Sequence, residues 1–282
     1  MISATRYSAA AEIRRQANLA KEMSTLQTSV STGKRLTAPS DDPSASSRVA
    51  DIRQSQADQA IWTRNVGTGT GIAAAADNAL DSIADIMDRA KELVLSARND
   101  TSSPENRSVI AAELRGLAED LESYSQTKDP TGRPLFPTGS PLLIPVSSTQ
   151  KLPATTSREE VFDNVVGVLS LGDILNAAAD GMELTDPALR ATAINTGISD
   201  LDQAAGHIGA VRADQGVRAQ RFDDASDQLS SMDDSLTGER NDLEGTDLVY
   251  AVAEFKAKEL SLNAAQALFV QTSQKSLFDL LG

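Results

Sequence analysis

Apolar residues recur at helical spacing at both ends of the chain. Near its beginning they follow one another at intervals of four, three and four residues, in the row Leu19, Met23, Leu26 and Val30. Near its end a second row has intervals of four, three, seven and seven residues and consists of Leu248, Val252, Phe255, Leu262 and Phe269. Such intervals place the side chains on one narrow seam of a helix, as in a coiled coil. We therefore predict two terminal helices that lie side by side and bury their seams against each other.

Capping and breaking residues divide the first part of the chain. Residues 5–33 form one predicted amphipathic helix whose last residue, a glycine, acts as a C-cap. Asp42 and Pro43 are a typical N-cap and first helical residue, so a second helix is predicted from there to about Asn65. Glycines follow at 67, 69 and 71, and each weakens a helix by about 1 kcal/mol relative to alanine. These glycines indicate a close helix contact or a local bend.

Two further seams predict the next helices. The first consists of Ala76, Leu80, Ile83, Met87, Ala90, Val94 and Ala97. A polar stretch that ends in Pro104 interrupts it, and Ser103 is the predicted N-cap of the following helix. The seam of that helix consists of Ile110, Leu114, Leu117, Leu121 and Tyr124.

Residues 128–156 have a different character, because they are rich in proline and contain one short apolar run at 142–146. This run is the plausible strand or hairpin of the chain, and Pro145 confines it to the edge of a sheet. Apart from this segment, the pattern is helical throughout.

Two helices are predicted before the terminal one. Residues 157–160 fit a capping box that begins a helix running to about Ala179. Asp186 and Pro187 begin the longest helix, which is predicted to end near residue 236. Its heptad row has one polar member, Gln215, among Leu201, Ile208, Phe222, Leu229 and Leu236. Glycines at 238 and 245 precede the terminal helix, 247–280.

These elements predict a mainly α protein, an elongated antiparallel helical rod with coiled-coil termini and a small β or irregular insertion. We divide it into a terminal coiled-coil domain (1–40 with 246–282), a helical rod domain (41–130 with 157–245) and a short variable insertion (131–156). Two helices alone bury little apolar area. We therefore expect the terminal pair to be mobile in the free protein and ordered in a complex.

Composition narrows the functional classes. The 282 residues carry a formal net charge of −14, which disfavours nucleic acid as a partner because phosphate contacts need a surplus of lysine and arginine. The chain has no cysteine, so disulfides and thiolate metal sites are excluded. No run approaches the roughly 20 apolar residues of a membrane span, and the first residues lack the apolar core of a secretory signal peptide. We expect no membrane partner, and either a cytoplasmic location or export without a cleaved signal.

Candidate catalytic and ligand-binding residues are few. His207 is the single histidine, so neither a Ser–His–Asp nor a Cys–His set can be assigned from the sequence. Residues 67–71 alternate glycine with threonine but lack the Gly-Lys-Ser/Thr ending of a phosphate loop. The acid pairs at 41–42, 223–224 and 233–234 do not match the ligand spacing of an EF-hand. We predict no enzyme activity, no cofactor and no metal site.

Lys34 and Arg35 directly follow the predicted C-terminus of the first helix. Two interpretations are open. Cations at this position stabilise the helix dipole, and they could equally form a hinge that binds acidic groups on a neighbouring molecule.

Four stretches, in chain order, resemble the bacterial flagellin superfamily. Residues 30–46, Val-Ser-Thr-Gly-Lys-Arg-Leu-Thr-Ala-Pro-Ser-Asp-Asp-Pro-Ser-Ala-Ser, resemble the junction between its first two helices. Residues 129–136 resemble the turn after its second core helix, 211–221 a motif in its long return helix, and 276–281 its C-terminal Ser-Leu-Phe-Asp-Tyr-Leu. The Ser-Asp-Asp-Pro form of the first stretch resembles the hook-filament junction members more than the flagellins.

The resemblance implies a structural adaptor in the flagellum, between the first hook-associated junction protein and the flagellin filament. It implies a ring of copies whose terminal helices line an inner tube, an export chaperone that covers the C-terminal stripe, and type III export to an extracellular location. The alternatives are a flagellin, the bulk filament subunit, and, less favoured, a secreted helical effector. The expected assembly interface consists of Leu19, Met23, Leu26, Val30, Lys34, Arg35, Asp41, Asp42, Pro43, Leu248, Val252, Phe255, Leu262, Phe269, Leu277 and Phe278.

Overall fold

The computed structural model describes residues 2–98, 103–163 and 165–278, with side chains from residue 10 to residue 271 within those ranges. The helices are α1 (Ile2–Thr32), α2 (Pro43–Ala97), α3 (Pro104–Ser125), α4 (Arg158–Phe162), α5 (Leu171–Glu183), α6 (Pro187–Glu244) and α7 (Leu248–Phe278). Strands β1 (Leu143–Pro145) and β2 (Lys151–Pro153) form one antiparallel pair. The prediction of a mainly α fold with a small β insertion is confirmed.

The predicted helix ends rest on local backbone chemistry. Gly33, directly after α1, has a φ of +69°, a left-handed conformation that glycine adopts without a steric penalty. The Asp42 carboxylate accepts the N–H of Ala45 at 3.0 Å, so it caps α2 as predicted. Ser103 does the same for α3 by accepting the N–H of Asn106 at 3.2 Å. Each cap satisfies a backbone donor that the first helical turn leaves unpaired.

The chain divides into two compact units. The terminal unit combines Met1–Ala57 with Asp233–Gly282, and the central unit is Asp58–Met232. The finer division into three domains that the sequence suggests, with boundaries near residues 40, 130, 157 and 246, stays a prediction.

The core of the central unit is built on the predicted seams. All seven members of the α2 seam from Ala76 to Ala97 are buried. In α3, Leu114 and Leu121 are buried, and the rest of the seam packs half-buried against the same core. The rings of Phe136 and Phe162 meet edge to face with their centroids 5.8 Å apart. They join the segment after α3 to α4, so the insertion shares the helical core.

The polar exception in the α6 heptad row has a structural role. Gln215 is 1% exposed, and its side-chain amide donates to the carbonyl oxygens of Ala73 at 3.2 Å and Ala154 at 2.9 Å. One buried side chain therefore joins α6, α2 and the segment that follows β2. These two hydrogen bonds satisfy the amide N–H groups and so offset part of the cost of burying this side chain.

The predicted end of the second helix near Asn65 is wrong. α2 continues from Pro43 through all three glycines to Ala97. A Cβ atom at Gly69 would lie 2.6 Å from Cζ of Phe222, whereas Gly67 and Gly71 face open space. Packing of the Phe222 ring against a bare backbone stabilises the helix where intrinsic propensity alone disfavours it.

Two other predicted helix boundaries are also wrong. The single helix predicted over 157–179 is two helices, because α4 ends at Phe162 and a turn closed by the Val165 N–H to Leu169 O bond precedes α5. Ser170 and Asp173 form the capping box that begins α5. The longest helix continues through Gly238 and ends at Glu244 rather than near residue 236, because contacts with α2 on both sides of this glycine, Gln56 with Thr237 and Arg48 with Glu239, hold its last turns.

A second glycine contact yields a stability prediction. A Cβ at Gly181 in α5 would lie 2.8 Å from Cβ of Ala193 in α6, whereas one at Gly172 in the same helix would meet nothing closer than 3.9 Å. We expect Gly181→Ala to lower the free energy of unfolding by about 1 kcal/mol or more, because overpacking exceeds the gain in helix propensity. Urea denaturation measures this, with Gly172→Ala as the matched control. Equal stability of the two variants would contradict close packing between α5 and α6.

Candidate assembly interface

The terminal helices pair in antiparallel fashion within the terminal unit. Lys34 and Gly245 form an antiparallel bridge just beyond α1 and just before α7. Further along, the Lys258 ammonium contacts the Glu22 carboxylate at 2.6 Å. Moving backward along α1 therefore corresponds to moving forward along α7. The structure thus places the two ends of the chain side by side, as their apolar rows predict.

The α1 seam contains the predicted residues. Leu19, Met23, Leu26 and Val30 are all half-buried, whereas the residues between them are mostly exposed. Glu12 and Gln16 continue the row at the same spacing toward the N-terminus and are also half-buried. The seam is therefore longer than its apolar part, and its early positions carry polar side chains that apolar periodicity does not detect.

The α7 seam follows a different row from the one predicted. Phe255, Leu262 and Phe269 are half-buried, as expected, but Leu248 and Val252 are 49% and 44% exposed. The prediction that these two residues lie in the row that pairs with α1 is wrong. Three smaller or polar residues complete the heptad instead, namely Ala251, Lys258 and Ala265. The side chains of Leu277 and Phe278 lie outside those described.

Lys258 is the charged member of this seam. Its ammonium lies 2.6 Å from the Glu22 carboxylate of α1 and 3.4 Å from Glu254 of its own helix. The hydrogen bond to Glu22 raises the pKa of Lys258 above its ordinary value. A polar residue in a coiled-coil row favours the register in which it finds its partner. Lys258 therefore contributes to the alignment of α7 on α1.

Backbone hydrogen bonds join the residues just after α1 to those just before α7. The N–H of Arg35 donates to the carbonyl oxygen of Glu244 at 2.6 Å, and the N–H of Thr246 donates to that of Gly33 at 3.0 Å. These reciprocal bonds fix the start of α7 against the end of α1. The predicted interface residues Lys34 and Arg35 thus lie where the two terminal helices meet the rest of their unit.

A buried carboxylate lies at the same junction. The Glu244 side chain is 9% exposed and contacts Lys34 Nζ at 3.0 Å and the Arg53 guanidinium at 2.5 Å. Burial alone would raise the pKa of Glu244, but the hydrogen bonds from Lys34 and Arg53 outweigh it and hold the pKa below its usual value. Arg35 lies 3.7 Å from Asp42. Both cations therefore have acidic partners within this chain, and their binding to a neighbour stays a prediction.

The Asp41–Asp42–Pro43 motif orders the turn into α2. The Asp41 carboxylate accepts the N–H groups of Ala38 at 2.8 Å and Thr37 at 3.0 Å, and also the Thr37 hydroxyl. These hydrogen bonds, that of Ala38 foremost, lower the pKa of Asp41. Asp42 caps α2 and Pro43 is its first residue. The motif is a structural turn that positions the first helix relative to the second.

The outward side of α7 is apolar, which sequence reasoning missed. Val249 is 82% and Leu260 is 72% exposed, and Tyr250, Leu268 and Val270 are exposed as well. The outward side of α1 carries Arg14, Lys21 and hydroxyl residues instead. Several large apolar side chains exposed on one helix favour an interaction site. The sequence signal that would have revealed it is the set of large apolar residues outside the seam, which lie roughly 100° to 180° around α7 from it.

The candidate ligand residues of the sequence do not converge on a metal site within the described ranges. No group of three or more His, Cys, Asp and Glu side chains there is placed to hold a metal ion. His207 Nε2 lies 2.8 Å from the carbonyl oxygen of Glu160, a helix contact within the central unit. Within the same ranges, no helix has the length and apolarity needed to cross a membrane.

Two protein-family models match this chain, one in its first half and one near its end. Residues 4–138 match the bacterial flagellin N-terminal helical region, and residues 198–281 match the bacterial flagellin C-terminal helical region. The two matches together span most of the chain and leave out residues 139–197, which contain β1, β2, α4, α5 and the start of α6.

Individual proteins similar to this chain are flagellar proteins as well. Flagellar hook-associated protein 3 of Escherichia coli is 22% identical over 89% of this chain and 90% of its own length. A flagellin of Halalkalibacterium halodurans is 24% identical over 76% of this chain and 74% of its own. The fold is similar to that of flagellar hook associated protein-3 from Legionella pneumophila, with a TM-score of 0.62 and 13% identity over 69% of this chain and 98% of that one. The chain belongs to the bacterial flagellin superfamily, and its similarity to hook-associated protein 3 extends over nearly its full length.

Proposed function

We propose that this chain is a structural adaptor of the flagellum, which joins the first hook-associated protein at the hook to the flagellin filament. The observation that carries the proposal is the terminal unit, in which α1 and α7 pair while the outward side of α7 stays apolar. Such a surface needs further protein to cover it. The nearly full-length similarity to hook-associated protein 3 supports the junction over other positions in the flagellum.

The proposal assigns roles and partners. Copies of this chain associate through the terminal unit, with the sixteen residues predicted from the sequence at or near that contact. The chain acts without catalysis, and its partners are the first hook-associated protein, flagellin and an export chaperone. The chaperone masks the apolar side of α7 in the cytoplasm, where it would otherwise aggregate. The location is the extracellular flagellum, reached through the flagellar export apparatus without cleavage of a signal.

A deletion strain tests this role. Cells that lack the chain are expected to assemble hooks without filaments and to shed flagellin into the medium, as imaged by electron microscopy. Complementation with residues 1–247 is expected to give folded protein that fails to enter the junction, because α7 is missing. The full chain serves as the positive control. Normal filaments in the deletion strain would contradict the adaptor role.

The second candidate is a flagellin, which the similarity to the Halalkalibacterium halodurans flagellin favours. The two functions differ in self-association. Purified chain seeded with filament fragments is expected to stop after a short assembly if it is an adaptor. Elongation into long homopolymers would establish the filament subunit instead.

A further inference from the structure

A small hairpin on the central unit exposes one side. In the β1–β2 pair, Pro145 lies opposite Lys151 in the register, and both are exposed together with Leu143. The alternate residues Ile144 and Leu152 are buried. Asn65 of α2 donates its side-chain N–H to the carbonyl oxygen of Pro145 at 2.9 Å, which fixes the hairpin on the helix. Because strand residues alternate between the two sides of a hairpin, the side opposite Ile144 and Leu152 faces outward. The hydrogen bond from Asn65 anchors the hairpin on α2.

A shallow cleft lies beside the exposed side of the hairpin. Its volume is about 240 Å³, and its lining combines apolar and cationic groups, among them Thr68, Ile72, Arg133, Leu142 and Leu143. Leu142 and Leu143 are 41% and 53% exposed. We call the surface formed by Arg133, Leu142, Leu143, Pro145 and Lys151 the hairpin surface.

The hairpin surface is positively charged in an acidic protein. Within the part of the chain that the structure describes, neither Arg133 nor Lys151 forms a salt bridge. The nearby Asp129 offsets part of the Arg133 charge, because its buried carboxylate attracts the guanidinium and accepts the backbone N–H groups of Thr131 and Arg133. The formal net charge of the whole chain is −14. A surface that is both cationic and apolar fits an acidic helix with an exposed apolar residue.

The chain carries such a helix surface itself. Asp223, Asp224 and Asp227 of α6 are exposed, and no lysine or arginine occurs between Arg221 and Arg240. None of these three carboxylates forms a salt bridge with a residue that the structure describes. Met232, at the end of the central unit, is 51% exposed. We call Asp223, Asp224 and Asp227 the acidic row.

The acidic row and the α4 side of the central unit face in different directions. His207 of α6 contacts the Glu160 carbonyl of α4. At 3.6 residues per turn, Asp223 and Asp227 lie roughly 160° and 200° around the helix from His207. Gln215, on the core side of α6, contacts Ala154 just after β2, and Asp223 and Asp227 lie roughly 80° and 120° around the helix from it. Among the described residues of one copy, no carboxylate of the acidic row pairs with Arg133 or Lys151.

We propose that the hairpin surface of one copy docks on the acidic row of the next copy. The contact joins two different surfaces, so every copy can offer one and accept the other. Such heterologous contacts repeat into a ring or a helical row. The inference deepens the proposed function and rests on it, since it names the contact through which copies associate outside the terminal unit. A flagellin or a hook-associated protein on the hairpin surface would be the competing result.

Cross-linking between single-cysteine variants tests the contact, because the chain contains no cysteine of its own. Ser148→Cys marks the hairpin turn and Ser230→Cys marks α6 beside the acidic row. The two purified full-length variants are mixed and treated with a short bis-maleimide. The mixture is expected to form cross-linked dimer at least tenfold faster than either variant alone. The matched control pairs Ser148→Cys with Ala74→Cys, an exposed position on α2. Equal rates for the two mixtures at every protein concentration would overturn the proposal.

Charge reversal then identifies the groups in the contact. Arg133→Glu with Lys151→Glu in the Ser148→Cys chain is expected to lower the yield of cross-linked dimer at least tenfold. The yield is expected to return when the Ser230→Cys chain also carries Asp223→Lys and Asp227→Lys. It is not expected to return when that chain carries Asp77→Lys and Asp85→Lys instead. Failure of the first reversal to lower the yield would overturn the assignment even if a cross-link forms.

The same mixture expressed in the deletion strain separates this inference from the proposed function. Filaments that assemble without the Ser148–Ser230 cross-link would contradict the contact and leave the adaptor role intact. Cross-linking of the purified chains, combined with normal filaments in cells that lack the chain, would support the contact and contradict the adaptor role. A cross-link from the hairpin cysteine to flagellin in isolated flagella would assign the hairpin surface to that partner instead.

Discussion

Gly69→Ala is expected to destabilise the central unit by about 2 to 3 kcal/mol, although alanine is the better helix former. The added Cβ would lie 2.6 Å from Cζ of Phe222, and the ring is 0% exposed, so it cannot rotate away without displacing its neighbours. Overpacking of this kind typically costs 1 to 3 kcal/mol. Urea denaturation followed by circular dichroism gives the free energy of unfolding directly.

The chain supplies its own control for Gly69. Gly67→Ala lies two residues earlier in α2, where a Cβ meets nothing within 4 Å. That variant is expected to gain up to about 1 kcal/mol from helix propensity alone. The opposite signs of the two changes isolate packing from propensity. If Gly69→Ala also stabilised the protein, the close approach of α2 to Phe222 would be wrong.

A compensating change sharpens the test. Phe222→Leu removes part of the ring and is expected to be destabilising in the native background, because it leaves a cavity. In the Gly69→Ala background, the same change should cost less, since the new methyl group occupies part of the vacated space. The difference is the interaction energy of a double-mutant cycle. Strict additivity would show that the two positions do not touch.

This contact also shows where sequence reasoning stops. Apolar spacing identifies the α2 seam and the heptad row of α6, because core side chains repeat at the period of the helix. Apolar spacing does not show whether a glycine ends the helix or makes room for a side chain from another helix, as Gly69 does for Phe222, 153 positions later in the chain. The glycines at 67, 69 and 71 have identical local signals, yet only Gly69 lies against a buried ring. Tertiary packing decides between the interpretations.

Prediction from the sequence is also incomplete for the terminal unit. The large apolar residues of α1 and α7 predict that the helices pair, and they do. The prediction fails at Leu248 and Val252, because apolar residues occur on two sides of α7 and size alone does not say which side meets α1. Ala251 and Lys258 carry weak apolar signals, but they continue the spacing of Phe255 and Leu262. A seam is better read from unbroken heptad spacing than from the largest residues.

Glu244→Gln is expected to loosen the junction of the terminal unit by about 1.5 to 3 kcal/mol at neutral pH. The native carboxylate is 9% exposed and accepts charged hydrogen bonds from Lys34 and Arg53. Hydrogen bonds to charged groups contribute about that much. The loss stays below that of a fully buried pair, because the side chains of the two cations are 53% and 60% exposed and can be hydrated. Amide exchange of Arg35 and Thr246, whose N–H groups bridge the junction, reports the opening.

Glu239→Gln is the matched control for this change. Its carboxylate pairs with Arg48 in the same unit, but it is 41% exposed, so water screens the pair and its loss is expected to cost less than that of Glu244. A larger effect of Glu239→Gln than of Glu244→Gln on the Arg35 and Thr246 amides would contradict a central role for the buried carboxylate.

The same carboxylate predicts a pH dependence with a definite sign. Because Lys34 and Arg53 hold the pKa of Glu244 below its unfolded value of about 4.3, the folded junction binds fewer protons than the unfolded chain. The stabilisation from Glu244 is therefore complete above that value and is lost as the pH falls through the lower, folded pKa. Native Arg35 and Thr246 amides should exchange faster at pH 3 than at pH 6 after correction for the intrinsic rate, and Glu244→Gln should remove much of this difference. A pH dependence that survives unchanged in Glu244→Gln would assign the acid sensitivity of the junction to other carboxylates.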